Sequence, residues 1–500
     1  MKLVQADFRP AETPYGFDAE PLRISVPDTW GLKERFAFRG THAWMYLAVG
    51  SLLVSGLFAL LLVVGRVPPF SHWISDPDFF RRCLVSHVNL SLLVWFSAFA
   101  ASLFAQLPGA RSTAFQAAGF SLAASGTAMM ALSAFIPGSD PVLSNYIPFI
   151  DHPLFSVGLI VFFAGLTSFY LGGPIVRRAG SASGTEPVSA TDALPADAAA
   201  GVRAAALAFL AAVSTFVASW AATPGDLEPA AYYEFVAWGG GHVLQVANVA
   251  AMVAVWLILA GALVKRRVTA PRTAGVLFGL LVLPHLAGPL LTIQGTVTPL
   301  YHTGFTRLMQ FGIFPVVTVF ILLCGLRLAA ARREKRLPAA FWRDFRTVGL
   351  GLSILMTVVG FALGAMIRGS TTMIPAHYHA SIGAVTVAFM AAAFMMAERH
   401  GKAGCVAMVG RWAPWQLLLF GGGQLLFALG FAVGGAFGLD RKVYGAEQEL
   451  YSGGEYAGIA MMGIGGLVAV AGGVLFLALI GAAYLGRDRG ARTTQANADL

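Results

Sequence analysis

Long apolar stretches recur from residue 43 almost to the end of the chain, separated by short polar or charged connections. Each stretch is close to the length of about 20 residues that an α-helix needs to cross the hydrocarbon core of a bilayer. A spanning segment must satisfy its own backbone hydrogen bonds in lipid, which at this length predicts helices. The pattern therefore predicts an all-α, polytopic membrane protein with twelve transmembrane helices, at 43–65, 83–106, 113–135, 153–174, 203–222, 236–264, 273–296, 305–330, 347–367, 373–397, 414–437 and 456–485.

The composition excludes a soluble enzyme. Of the 500 residues, 57% are hydrophobic and 12% are charged, and the mean hydropathy is +0.70. A soluble domain carries roughly twice that charged fraction, about 25%. The 34 Lys and Arg residues exceed the 25 Asp and Glu residues and give a net charge of +9, but membrane topology accounts for this excess, so no nucleic-acid partner is expected. The three cysteines lie far apart and predict neither a disulfide framework nor a zinc site.

Basic residues mark one side of the membrane. They cluster in alternate connections, as at 265–267 and 332–336, and the positive-inside rule then places both termini in the cytoplasm of a bacterial-type inner membrane. The opposite loops carry acidic residues, among them Asp151, Glu228 and Glu234. The predicted organisation is a cytoplasmic N-terminal segment at 1–40, a membrane domain at 41–486 with a flexible cytoplasmic loop at 179–201, and a cytoplasmic tail at 487–500.

Four of the ten histidines, His87, His242, His377 and His379, fall in the first turns of even-numbered predicted spans. Even-numbered spans begin at the outer face, so these histidines are expected at one depth in the outer third of the membrane. An ionisable residue there is costly and marks a functional site by default, although a lone histidine serves equally well as a hydrogen-bonding residue of the bundle. Four at one level favour haem or metal ligation, because neutral imidazole is a usual axial ligand of haem iron and a common ligand of copper.

The pair His377 and His379 has the most specific geometry. Residues two apart on an α-helix project about 200° from each other, so they cannot ligate one ion but can each reach a different cofactor. Two haems on opposite sides of span ten are the simplest use of this geometry. His87 on span two would supply the second axial ligand of a six-coordinate haem, whereas the haem held by one histidine would keep an open face for a substrate. His242 is then available to a second metal, and the glycines at 239–241 would let backbones or a macrocycle approach closely.

Twelve spans, a histidine opening span two, Trp-Gly-Gly-Gly-His at 238–242 and His-Tyr-His at 377–379 resemble the catalytic subunit of the haem–copper oxidoreductase superfamily. That superfamily contains the terminal oxidases and the nitric oxide reductases. The resemblance covers nearly the whole chain, about residues 40 to 485. It implies the twelve-helix bundle of oxidase subunit I and two haems, expected here to be of b type, with one copper or non-haem iron as a further metal.

The resemblance also implies a role for each histidine. His87 and His379 would bind the low-spin haem, His377 the high-spin haem, and His242 the copper or non-haem iron. The loop after span eleven, where the superfamily usually places basic residues on the haem propionates, has Arg441 and Lys442. Charge-assisted pairing with propionates is one interpretation of these two residues. An ordinary solvated loop is the alternative.

The chain departs from the superfamily at the second metal. The superfamily places two adjacent histidines near the outer end of span seven, where this chain has leucines at 290–291. His285, deeper in the span, and His302, after it, are the candidate replacements, and an altered metal or none is the alternative. A structural interpretation of His285 is equally favoured, because Pro284 leaves a backbone carbonyl that an imidazole can satisfy. His302 is expected to matter less, because the chain after Pro299 is predicted to be a loop.

The residues around His242 favour one reaction. The resemblance implies that dioxygen reduction uses a tyrosine cross-linked to a metal-ligating histidine, one turn after the span-six histidine or on span seven. It also implies that nitric oxide reductases carry a glutamate four residues after that histidine. Val246 stands at that position here, with Gln245 and Asn248 as the nearby polar residues. No Asp, Glu or Lys lies well inside a predicted span, which disfavours a proton pump and favours proton uptake through the acidic outer loops.

The expected function is electron transfer through the low-spin haem to the high-spin haem, where a diatomic gas is reduced with His377, His242 and Gln245 as catalytic residues. Reduction of nitric oxide to nitrous oxide is favoured, because the tyrosine and an inner proton channel are both missing. The alternatives are an unusual terminal oxidase, a degenerate haem-binding subunit that transfers electrons or senses a gas, and, as for any twelve-span protein, a transporter. Without Cys-x-x-Cys-His or a Cys pair, electrons must come from a partner subunit, a cytochrome c or a quinol.

Overall fold

The computed structural model describes residues 40–64, 76, 78–107, 114–175, 194–400, 403–441 and 450–485. Within them the chain is almost entirely helical, apart from one antiparallel pair of strands, β1 (Asp140–Val142) and β2 (Phe149–Asp151), with Asp140 opposite Asp151. These strands and the residues between them are called the 140–151 hairpin below. The helices are α1 (Gly40–Val64), α2 (Phe79–Val88), α3 (Trp95–Phe104), α4 (Ala114–Ser133), α5 (Pro153–Leu171), α6 (Ala196–Ala222), α7 (Pro229–Val264), α8 (Pro271–Val282), α9 (Pro299–Gly312), α10 (Phe314–Arg333), α11 (Phe345–Ala365), α12 (Met373–His400), α13 (Ala403–Ala436) and α14 (Gly453–Leu485), with a π-helical turn at Asn89–Val94 and 3₁₀ turns at Leu283–Thr292 and Phe341–Arg343.

Eleven helices or continuous helical segments of the described residues are long and apolar enough to cross a membrane, judged by length and composition alone. They correspond to eleven of the twelve predicted spans. The remaining predicted span, 113–135, is the helix α4, which has 20 residues but is not among the eleven. The prediction of an all-α, polytopic membrane protein is confirmed.

Some helices begin before the apolar stretch that predicts them. The helix α6 begins at Ala196, so the predicted flexible loop at 179–201 is wrong for its last residues. The buried carboxylate of Asp197 fixes this first turn, because it accepts hydrogen bonds from the backbone amides at 268–269, at 3.1 and 3.3 Å. Residues 179–193 of the loop lie outside the described residues, as do the C-terminal tail and all but the last residue of the predicted N-terminal segment.

The segment after Pro299 is a helix and not the predicted loop. Pro299 opens α9, where its fixed backbone angle suits the first turn. The Thr298 hydroxyl caps this helix by accepting a hydrogen bond from the backbone N–H of Tyr301, at 3.4 Å. His302 is therefore held on a helix, and the expectation that its backbone is poorly fixed is wrong.

Three segments that carry histidines are the most enclosed of the candidate spans. In the most apolar window of each span, 89% of α7 and of α12 is buried, and 72% of the continuous segment that contains α2 and α3. The figure is 50% or lower for every other candidate span in the described residues. A helix that is apolar all round is typical of a buried position. The candidate site residues of α2, α7 and α12 therefore lie in the interior of the bundle.

One buried arginine fixes the start of α2, the helix that carries His87. Arg82 is 1% exposed. It donates hydrogen bonds to the carbonyl oxygens of Ala134 and Ser139, at 3.1 and 3.2 Å, and it pairs with the carboxylate of Asp76. The hydrogen bond from Arg82 holds the pKa of Asp76 below its usual range. These contacts tie α2 to the segment that connects α4 with the 140–151 hairpin.

The helices α13 and α14 pack with their backbones in near contact. A Cβ atom built on Gly465 would lie less than 3.0 Å from backbone atoms of Gly423 and Phe427. Small residues allow this approach, and close packing drives helix association in lipid. Gly463, on the same helix, faces open space, because a Cβ atom there would have no neighbour within 4 Å.

Gly465→Ala is expected to destabilise the folded protein by about 1–3 kcal/mol, the usual cost of overpacking a tight contact. Gly463→Ala is the matched control and should be neutral or slightly stabilising, because alanine is the better helix former. Thermal unfolding in detergent, followed by circular dichroism, checks both expectations. Equal unfolding midpoints for the two variants would contradict the close contact between α13 and α14.

Candidate functional site

His87 lies on α2 with its ring fixed against α1. Its Nδ1 atom lies 3.0 Å from the carbonyl oxygen of Ser55 and 2.9 Å from the Ser55 hydroxyl. A carbonyl oxygen only accepts hydrogen bonds, so Nδ1 carries the proton and Nε2 keeps the lone pair that a metal needs. The backbone changes to a π-helical turn at Asn89–Val94 soon after this residue, a distortion that is frequent at functional sites.

His379 lies on α12 among aromatic rings of α13. Its ring stacks on Phe431 with 5.3 Å between centroids and 11° between planes, and it lies edge-to-face with Phe427 at 4.9 Å. Its Nδ1 atom is buried without a hydrogen-bond partner among the described residues. The side chains of His87 and His379 lie within electrostatic reach of each other. The two residues that the sequence predicts as ligands of one haem therefore lie near enough to interact electrostatically.

His377 points to the opposite side of α12, toward α11. Its Nδ1 atom lies 2.7 Å from the carbonyl oxygen of Gly360, so this ring also carries its proton on Nδ1 and its lone pair on Nε2. Gly364 lies one turn further along α11, and a Cβ atom there would be 2.8 Å from Nδ1 of His377. His377 and His379 thus face different helices, which agrees with the rotation of about 200° expected between residues two apart.

The residues of this region fit haem ligation. A ligating histidine almost always donates its second ring N–H to a carbonyl, a carboxylate or water, which fixes the ring and its tautomer. His87 and His377 both donate in this way. His87, His377 and His379 are all half-buried residues, although the helices that carry them are enclosed. Each of the three residues therefore keeps some accessible surface within an enclosed segment.

Arg441 lies beside the residues that lead into α12. Its backbone amide donates to the carbonyl oxygen of Ser370 at 3.4 Å, and its Nε atom is buried without a partner among the described residues. A buried N–H without a partner is costly, and a guanidinium group is well suited to pair with an anionic group such as a haem propionate. Lys442, the second residue predicted to pair with a propionate, lies outside the described residues.

His242 has both ring nitrogens engaged. Because α7 begins at Pro229, earlier than the predicted span, His242 lies more than three turns into the helix and not in its first turn. Its Nδ1 atom lies 2.7 Å from the carbonyl oxygen of Trp238, and its Nε2 atom lies 2.9 Å from the hydroxyl of Tyr146. The carbonyl requires the proton on Nδ1, so the Tyr146 phenol donates its hydrogen bond to Nε2.

Tyr146 comes from the 140–151 hairpin, and sequence reasoning missed it. Its φ of 66° is a left-handed conformation that is uncommon for a non-glycine residue. The preceding Asn145 is held by Glu234 of α7: its backbone amide donates to Oε2 at 2.8 Å, and its side-chain amide donates to Oε1. Desolvation of the half-buried phenol raises the pKa of Tyr146, and the Glu234 carboxylate raises it further. The phenol therefore keeps its proton.

The glycines at 239–241 accommodate aromatic side chains. Cβ atoms built on these three residues would lie less than 3.0 Å from the rings of Phe305, Phe216 and Tyr146, in that order. The three rings come from α9, from α6 and from the 140–151 hairpin. Side chains thus take the space beside these glycines, where the sequence predicted a close approach of backbones or of a macrocycle.

His285 is held as a structural residue. It is 1% exposed, and its Nδ1 atom lies 2.9 Å from the carbonyl oxygen of Leu281. Pro284 has no N–H to offer the carbonyl three residues before it, so the imidazole takes that place. A Cβ atom on Gly312 would lie 2.5 Å from the ring, and Nε2 is buried without a partner among the described residues. This geometry agrees with the structural interpretation of His285.

His302 lies near His242 across a shared tryptophan. The ring of Trp238 contacts His302 at 5.1 Å and His242 at 4.6 Å between centroids, and Phe235 also contacts His302, at 5.2 Å. His285 and His302 each lie within electrostatic reach of His242. The three candidate ligands of the second metal are therefore neighbours, with aromatic rings among them.

Gln245 is oriented by its own helix. The side-chain amide of Asn248 donates to the Gln245 side-chain oxygen at 3.3 Å, and Val246 is fully buried. Within the part of the chain that the structure describes, no three His, Cys, Asp or Glu side chains come together in a way that could hold a metal ion. The described side chains around His242 therefore do not assemble the three protein ligands that a bound transition-metal ion normally takes.

The chain is similar to two bacterial proteins along most of its length. No family model matches it. An uncharacterized protein of Rickettsia prowazekii (strain Madrid E) is 24% identical over 509 residues, which cover 88% of this chain and 95% of that protein. An uncharacterized protein of Aquifex aeolicus (strain VF5) is 26% identical over 378 residues, which cover 75% of this chain and 89% of that protein.

A solved structure has the same fold. A chain of a haem–copper terminal oxidase dimer, determined by cryo-EM, superposes with a TM-score of 0.65, covering 90% of this chain and 85% of that chain. The sequence identity is 15%. The predicted bundle of the haem–copper type is thus confirmed as a fold, and at this identity the similarity extends to the fold alone.

Gly364→Ala is expected to displace the ring of His377, because the new methyl group would lie 2.8 Å from its Nδ1 atom. Loss of the orienting partner of a ligating histidine typically costs about 10–100-fold in affinity, so the haem proposed for His377 should be lost before the other. Haem per chain and the optical spectrum of the purified protein measure this. Gly351→Ala, on the same helix with no neighbour within 4 Å, should keep the wild-type haem content. Equal losses in both variants would contradict the contact between Gly364 and His377.

Proposed function

We propose that the chain is the haem-bearing subunit of a membrane oxidoreductase of the haem–copper type. Electrons would pass through a low-spin haem between His87 and His379 to a high-spin haem on His377, where a diatomic gas is reduced. The observation that carries this proposal is the opposed orientation of His377 and His379 on the enclosed helix α12. His87 lies within electrostatic reach of His379.

The histidines offer the chemistry that each position needs. Two neutral imidazoles complete the coordination of a haem iron that carries electrons, whereas one imidazole leaves a face for a gas. His87 and His377 hold their protons on Nδ1 and offer Nε2. The sequence has no Cys-x-x-Cys-His motif, so both haems are proposed to be non-covalent and of b type. The unpartnered Nε of Arg441 would pair with a propionate.

Nitric oxide is the proposed substrate. Two nitric oxide molecules, two electrons and two protons give nitrous oxide and water, and two haem irons hold two electrons. Reduction of dioxygen to two water molecules takes four electrons and four protons, more than two haem irons hold at one time. Protons would enter beside the 140–151 hairpin, where Asp151 accepts a hydrogen bond from Tyr233 at 2.7 Å and Glu234 holds Asn145.

Dioxygen reduction is the second candidate, and Tyr146 favours it. The phenol of Tyr146 donates to His242, so a tyrosine does lie beside this histidine, although not at the helical positions that the sequence resemblance implies. Tyrosine is among the side chains that deliver protons in catalysis. The similar solved chain belongs to a terminal oxidase. Rates of turnover with each gas distinguish the two candidates.

The third candidate is a haem-binding subunit that transfers electrons or senses a gas without turnover. The engaged nitrogens of His242 favour it, because a bound metal would need one of them. In all three candidates we propose a bacterial-type inner membrane as the location, membrane lipid as the surroundings, and a donor subunit, a cytochrome c or a quinol as the source of electrons. No nucleic acid is proposed as a partner.

His87→Ala and His379→Ala are each expected to abolish the signal of six-coordinate, low-spin haem, because each variant lacks one of the two histidines that would hold that haem. Optical and electron paramagnetic resonance spectra of the purified protein provide the measurement. His152→Asn is the control: the His152 ring caps α5 by accepting the N–H of Leu154 at 3.1 Å, and asparagine is an equally good cap. A full complement of low-spin haem in either alanine variant would refute that ligand.

His377→Ala is expected to keep the low-spin haem and to lose both carbon monoxide binding and nitric oxide consumption. Spectra of the reduced protein with carbon monoxide report gas binding, and a nitric oxide electrode with gas chromatography of nitrous oxide reports turnover. Wild-type protein with both haems that consumes dioxygen but not nitric oxide would favour the second candidate. Wild-type protein that consumes neither gas would leave the third.

A further inference from the structure

We propose that His242 anchors the Asn145–Tyr146 turn of the 140–151 hairpin and is not a metal ligand. The hydroxyl of Tyr146 occupies Nε2 of His242, and the chain binds no second metal there. The inference rests on the proposed function in taking His87, His379 and His377 as the haem ligands. It differs from that function in making the surroundings of His242 a hydrogen-bonded, metal-free region.

Both ring nitrogens of His242 already have hydrogen-bond partners. Its Nδ1 donates to the carbonyl oxygen of Trp238 at 2.7 Å, and its Nε2 accepts from the hydroxyl of Tyr146 at 2.9 Å. His242 is 4% exposed. A metal ion needs the lone pair that the Tyr146 hydroxyl faces, so the phenol and a metal are mutually exclusive partners of this histidine.

Independent contacts hold the turn in this place. Glu234 accepts two hydrogen bonds from Asn145, and the missing Cβ of Gly241 makes room for the ring of Tyr146. A non-glycine residue at a φ of 66° persists only where its surroundings determine it. The turn is therefore built to meet His242 and is not a loop that happens to lie near it.

His285 and His302, the other candidate ligands of a second metal, make different contacts. The Nδ1 of His285 donates to the carbonyl oxygen of Leu281, and its ring is packed against Gly312. His302 packs on the rings of Phe235 and Trp238. Displacing the Tyr146 phenol would therefore free one donor atom, whereas a bound zinc, copper or iron ion normally takes three or more protein ligands.

The first test is a metal count on full-length, haem-loaded protein in detergent. Samples are incubated with Cu²⁺ or, separately, with Fe²⁺, then desalted, and haem iron is subtracted from total metal. Wild-type protein and His242→Ala are expected to retain the same small amount of non-haem metal. One equivalent of either metal in the wild type that His242→Ala loses would overturn the proposal. Tyr146→Phe is expected to retain no more metal than the wild type, because the Nε2 atom that it frees is a single protein ligand.

The second test measures the turn by hydrogen exchange of the 140–151 hairpin. Tyr146→Phe and His242→Ala remove the same hydrogen bond, so each should speed exchange by about five-fold, which corresponds to one neutral hydrogen bond. The double variant should be no faster than the faster single variant. The control is Tyr233→Phe, which loses a bond to Asp151. Its effect should multiply with that of His242→Ala.

Multiplying effects of Tyr146→Phe and His242→Ala would show that the two residues do not share a bond, and the proposal would fall. Haem content and optical spectra of the same samples separate this failure from that of the proposed function. Missing haem in the wild type overturns the proposed function. The metal count and the exchange rates of the 140–151 hairpin then still decide the role of His242.

Discussion

The carbonyl oxygen that faces Nδ1 determines what most of the intramembrane histidines of this chain can do. A carbonyl accepts hydrogen bonds and never donates them, so each contact fixes the proton on Nδ1 and the lone pair on Nε2. Lipid offers no water to compete for these bonds, so each ring is as firmly oriented as the helix that supplies its carbonyl. His87, His377, His242 and His285 face the carbonyl oxygens of Ser55, Gly360, Trp238 and Leu281, at distances between 2.7 and 3.0 Å.

All four histidines carry the proton on Nδ1, but they differ in the surroundings of Nε2. His87 and His377 are half-buried residues on enclosed segments, and no hydrogen bond to their Nε2 atoms is seen among the described residues. The Nε2 of His242 accepts a hydrogen bond from the phenol of Tyr146, and the ring of His285 packs closely against Gly312. The candidate site is therefore divided between α12 with its neighbours, where the imidazoles are available as ligands, and α7 with its neighbours, where they are part of an aromatic and hydrogen-bonded framework.

The parts of this arrangement that sequence could predict are those set by neighbours along the chain. The spans follow from the bilayer, the opposed faces of His377 and His379 follow from helical rotation, and the use of His285 follows from Pro284. The helix after Pro299 was also predictable, because a threonine before a proline is a typical helix start. Tyr146 was not predictable, because 96 positions separate it from His242 and no periodic pattern connects a left-handed loop residue to a distant helix.

The carboxylate of Glu234 stabilises the Asn145–Tyr146 turn in two ways. Glu234 holds Asn145 by two hydrogen bonds, and the same negative charge opposes ionisation of the neighbouring Tyr146, whose pKa is raised mainly by desolvation and further by this carboxylate. A phenol that keeps its proton in a half-buried place needs an acceptor. The carbonyl of Trp238 leaves Nε2 as the only acceptor that the His242 ring can offer. The carboxylate of Glu234 therefore favours the protonated phenol of Tyr146, and this phenol donates to the lone pair that the Trp238 carbonyl leaves on Nε2 of His242.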